Sequence, residues 1–103
     1  MNKNSKTWDS LSALALDLKR VSQGLQRGSA SMADRFIQEV LKRKSELDTK
    51  NLKPYMQKLI KRMEDSLKGN DNQKKAEDCL MYSTLFENAV LKDKGFPGYS
   101  VFL

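Results

Sequence analysis

Apolar residues recur at steps of three and four along most of this chain, and the recurrence breaks at short clusters rich in Gly, Ser, Asn or Pro. Trp8, Leu11, Leu14, Leu18, Val21 and Leu25 form the first run, which puts them on one face of an α-helix over about 8–27. Thr7, Asp9 or Ser10 can cap its start, and Gly28 suits its exit. Leu16 falls opposite the stripe and is a candidate contact residue. The second run holds Met32, Ala33, Phe36, Ile37, Val40, Leu41 and Leu47, predicting a helix over 32–48. Ser31 followed by Asp34 reads as a variant capping box at its start.

Pro54 suits a first helical position, where its missing N–H has no partner to lose. Met56, Leu59, Ile60, Met63 and Leu67 then predict a third helix over 54–68, closed near Lys68 and Gly69. Asn70, Asp71 and Asn72 offer N-caps to a fourth, over 73–92. This last helix is apolar over most of its girth. Ala76, Cys79, Leu80, Tyr82, Phe86, Ala89 and Val90 make a broad face, which Met81, Leu85 and Leu91 extend. Such a helix is either central in its domain or touches a second chain, so a homodimer through the fourth helix is one expectation.

Short connections between helices of this length favour antiparallel neighbours. The expected fold is all-α: an antiparallel four-helix bundle in one domain, residues 1–95, with an extended hydrophobic tail, residues 96–103. A dimer of helical hairpins that completes its bundle between chains is the alternative. In the tail, Gly95, Pro97 and Gly98 forbid a helix, and Phe96, Tyr99, Val101, Phe102 and Leu103 favour extended backbone. Those side chains need cover, either from their own bundle or from a partner.

Composition narrows the function classes. The chain has no histidine, which removes the commonest general base and the commonest metal ligand together. Gly24 and Gly28 close a helix instead of opening one, so they make no phosphate loop. The carboxylate pairs Glu64–Asp65 and Glu77–Asp78 are adjacent on helices and do not face each other. No catalytic residue, metal or cofactor is therefore expected. The single cysteine excludes an internal disulfide, no apolar run reaches membrane-spanning length, and the N-terminal apolar stretch is too short for a signal peptide. A cytoplasmic location is expected.

Charge is the one uneven property. Residues 42–62 carry eight cations, Lys42, Arg43, Lys44, Lys50, Lys53, Lys58, Lys61 and Arg62, against Glu46 and Asp48. The net +6 of the whole chain resides there. Consecutive antiparallel helices would gather these cations at one end and side of the bundle, where they attract an anionic partner. Candidate interface residues elsewhere are Leu16, Met81, Leu85, Phe96, Tyr99, Phe102 and Leu103.

These features together predict a non-enzymatic protein acting by protein–protein interaction, as regulator, adaptor or inhibitor. Binding of nucleic-acid phosphates through the basic segment is the alternative, although Tyr55 is the only aromatic within it. The layout, a basic chain of about a hundred residues arranged as four helices and a tail, is similar to that of small bacterial immunity proteins against peptide bacteriocins. The likeness is one of architecture, and it implies a helical bundle that acts by binding.

Overall fold

A glycine closes the first helix and sets the direction of everything after it. Gly28 sits at φ +73°, the left-handed conformation that side-chain-bearing residues avoid. The Ser29 amide donates back to the Gly24 carbonyl at 2.8 Å, and the Gly28 amide to the Leu25 carbonyl at 3.2 Å. This pair of bonds is a Schellman closure, and it turns the chain back along itself. The next helix starts at once: Ser29 is its N-cap, and its side chain accepts from the Met32 amide at 3.3 Å.

The computed structural model describes residues 5–93. Helix α1 spans Ser5–Gln26, α2 Ala30–Glu46, α3 Pro54–Ser66 and α4 Asn72–Asp93, with a short 3₁₀ turn at Thr49–Asn51 between α2 and α3. Among the described residues there are four helices and no strand, so the all-α bundle expected from the periodicity is found. Within the chain, α1 packs along α2 and α4, and α3 packs against α4. The tail, residues 96–103, with Phe96, Tyr99, Phe102 and Leu103, lies outside the described residues.

Two end signals differ from the sequence reading. Helix α1 begins at Ser5, so Thr7, Asp9 and Ser10 lie inside it and cap nothing. The cap of α2 is Ser29 in place of Ser31, because the Schellman turn delivers Ser29 in extended backbone directly at the helix start. Pro54 does open α3, and Asp71 accepts from the Lys74 amide at the start of α4 at 3.1 Å.

Helix α1 is the axis of the packing. It lies along both α2 and α4, whereas α3 meets α4 over a shorter stretch. The stripe read from the sequence points inward: Leu11, Leu14, Leu18 and Val21 are fully buried, with Trp8 and Leu25 packed at the margins. The core continues through Val40 and Leu47 of α2 and its exit, Met56, Ile60 and Met63 of α3, and Cys79, Tyr82, Phe86 and Val90 of α4. Small residues let α1 and its neighbours approach closely. Ala15, Ser22, Ala76, Cys79 and Ser83 are buried, and the Ser83 hydroxyl donates to the Ala15 carbonyl at 2.6 Å. That bond satisfies a buried hydroxyl and fixes the register of α4 against α1.

Burial pushes the Cys79 thiol up to about 12, with Asp78 beside it adding to the shift. A thiol held neutral in this way is a packing residue and a poor nucleophile.

Candidate binding face

The eight cations of residues 42–62 do not act as one group, because the helix faces separate them. Arg43 turns toward α1, where its Nε donates to the Asp17 carboxylate at 3.0 Å. Asp17 is only 5% exposed, and Arg20 approaches its other oxygen at 3.9 Å. Lys44 reaches across to Glu64 on α3 at 3.4 Å. These two cations hold helices together: one joins α1 to α2, the other α2 to α3. Lys42 is exposed on α2, two residues back from Lys44, so its side chain leaves the opposite side of that helix.

The distinction is measurable. Arg43→Ala would leave the buried Asp17 carboxylate with only the distant Arg20, and the expected loss of stability is about 2 kcal/mol. That is below the usual cost of breaking a buried pair, because Arg43 itself is partly solvated and Arg20 remains. Lys42→Ala, one position away, should change stability by less than about 0.5 kcal/mol. Urea denaturation of the two variants compares them directly.

The remaining five, Lys50, Lys53, Lys58, Lys61 and Arg62, are exposed on the 3₁₀ turn and α3, and among the described residues they form no ion pair. The turn that presents Lys50 and Lys53 is fixed by Gln57. Its side-chain amide donates to the carbonyls of Thr49 and Leu52, each at 2.8 Å. Asn51 also donates to the Asp48 side chain. The sequence offered no motif for this clamp. A glutamine three residues inside a helix reads as an ordinary polar position unless the preceding loop is known to curl back over it.

Tyr55, 55% exposed, follows Lys53 by two residues and precedes Lys58 by three. Beside it runs a groove of about 570 Å³ between α3 and α4, lined by Lys53, Tyr55, Leu59, Leu85, Asn88, Ala89 and Lys92. A second depression, against Trp8 and Met56, shares Lys53, Tyr55 and Ala89 with it. Leu59 and Leu85 are half-buried there, which leaves apolar surface open between two cationic rims. Leu85, a candidate contact residue by sequence, belongs to this groove. Leu16 and Met81 are exposed elsewhere, and neither lines it.

Among the described residues no three His, Cys, Asp or Glu side chains converge as a metal site would need, and no helix is long and apolar enough to cross a membrane. The class of protein defined so far is a basic helical bundle with a cation-rimmed apolar groove. No protein-family model, characterised protein or solved structure matches the chain.

Proposed function

We propose that this protein works by binding alone, as a small helical adaptor or inhibitor that takes an acidic protein segment on its α3–α4 face. One observation carries the reading: the exposed Tyr55 stands beside an open apolar groove rimmed by Lys53 and Lys92, and Lys58 and Arg62 follow it by three and seven residues on the same side of α3. An acidic amphipathic helix has the matching chemistry. Its apolar side would fill the space between Leu59, Leu85 and Ala89, while its carboxylates meet Lys53 and Lys92 at the rims and, along the Tyr55 side of α3, Lys58 and Arg62. Such contacts steer encounter and fix orientation, and the apolar burial supplies most of the affinity. A cytoplasmic setting belongs to this reading, since the one thiol is free and buried and the fold uses no disulfide.

A nucleic-acid backbone is the second reading, favoured by the aromatic ring of Tyr55 among cations. It ranks lower because phosphates gain nothing from Leu59, Leu85 and Ala89. Self-association through α4 engages a different face and is independent of both.

A photo-crosslinking residue in place of Tyr55 separates these readings in cells. The expected product is a cross-link to an acidic segment of another protein, lost when Lys58→Glu and Arg62→Glu are added. Cross-links to RNA or DNA would reverse the order of the two readings. A cross-link to residues 96–103 of the same chain would mean that the groove is covered from within, and the adaptor reading would fall.

A further inference from the structure

Of the four large apolar side chains exposed among the described residues, three share one face. Leu16 on α1 is 48% exposed, and Leu80 and Met81 on α4 are 43% and 46% exposed. The hydrogen bond between Ser83 and Ala15 sets α1 and α4 at a common level at these residues. Leu16 follows Ala15 directly, and Leu80 precedes Ser83 by one turn, so the leucines lie at nearly the same height on adjacent helices. Thr84, one turn after Leu80, is exposed beside them and donates back to the Leu80 carbonyl, which spends its polar hydrogen within its own helix.

Charge around this patch is divided between the two helices. Toward the end where α1 stops, α1 exposes Lys19 and Arg20, the latter over the Phe36 ring of α2, and α4 exposes Glu77 and Lys74, the latter paired with Asp78. Lys19 and Arg20 follow Ala15 by four and five residues, and Glu77 precedes Ser83 by six. In antiparallel helices these positions fall at similar height. One half of the face is therefore cationic, the other carries an anion, and the leucines lie alongside.

A surface with this division is complementary to itself. A second copy turned about a two-fold axis running along the helices lays the α1 of each copy over the α4 of the other. Leu16 then meets Leu80 of the partner subunit, and Lys19 meets Glu77 of the partner subunit. At the far end, Lys6 and Asp9 face Glu87 of the partner subunit, where charges of both signs leave little net attraction. We propose that the α1–α4 outer face is a self-association surface on which two copies of this chain pair about such an axis. The inference stands on a different face from the binding groove, so either can fail alone.

Sedimentation equilibrium of the full chain over a micromolar concentration series tests it. The wild-type chain is expected to dimerise reversibly, and Leu16→Glu or Leu80→Glu to weaken the dimer by tenfold or more with an unchanged helical circular-dichroism spectrum. Lys19→Glu and Glu77→Lys, both at exposed positions outside the core, should each weaken it alone. Mixed together, the two reversed chains should recover a heterodimer, because each pairing of residues 19 and 77 is attractive again. A wild-type chain that stays monomeric at the highest concentration overturns the proposal. So does a dimer indifferent to Leu16→Glu, or a mixture of the reversed chains that gains nothing over either alone.

Discussion

Phe86→Ala should cost about 3–5 kcal/mol, the range for deleting a fully buried aromatic ring. For a chain of this size that is a large share of total stability. Phe86 has no exposed surface and stacks beside Tyr82, with ring centroids 6.3 Å apart. It lies in the one cluster that joins residues of all four helices, so a cavity there loosens every packing contact together. Chemical denaturation followed by circular dichroism would give the loss as a lower midpoint with a similar slope. A change of less than about 1 kcal/mol would mean that the core is not organised around this ring.

Gly24→Val is expected to cost about 3 kcal/mol by the opposite mechanism, overpacking. A Cβ at Gly24 would stand 2.9 Å from the backbone nitrogen of Ala33 and 3.2 Å from its Cα. The obstacle is main chain of α2, which cannot rotate away as a side-chain tip could. Accommodating even one carbon requires the two helices to separate, and valine adds more. Gly24→Ala should show the same sign at a smaller size, the opposite of the usual gain when alanine replaces glycine within a helix. Thermal unfolding of the two variants orders them, and a Gly24→Ala chain as stable as the wild type would show that α1 and α2 are free to part.

Gly24 also shows where sequence reading stops. The glycine was legible as something other than a phosphate loop, but its closeness to Ala33 depends on a residue nine positions away across a turn. Periodicity carried the helices and the core because each apolar stripe is a local property of consecutive residues. Leu11, Leu14, Leu18 and Val21 are buried as the stripe requires, and so are Met56, Ile60 and Met63. The girdle of α4 was legible as unusual but ambiguous. One side packs on α1 and another on α3, which accounts for most of it and leaves Leu80 and Met81 outside. Leu80 was read as part of the broad apolar face, and a helical wheel alone could not tell which margin of a wide face has a neighbour.

The charge map was legible in sum but not in detail. Eight cations between Lys42 and Arg62 can be counted in the sequence, whereas the commitment of Arg43 to Asp17 spans 26 positions. An aspartate at the margin of an apolar stripe was the available sign, since such a residue demands a cation if it is buried. Asp17 lies directly beside Leu18 of the stripe, yet its burial follows only once α2 is laid against α1.

The unequal attachment of α3 has a thermodynamic consequence. Helix α1 is gripped along both flanks, whereas α3 is 13 residues long and is held by Met56, Ile60 and Met63, the edge of α4 and the pair from Lys44 to Glu64. Local opening follows such gradients, so α3 is expected to open below the global unfolding free energy, before α1, α2 and α4. Two of the three anchors of α3 are methionines, side chains that repack with little penalty. The segment with the densest positive charge is thus also the one whose backbone amides should exchange earliest. Whatever binds it would tighten the least stable part of the molecule, and part of its binding free energy would appear as ordering instead of affinity.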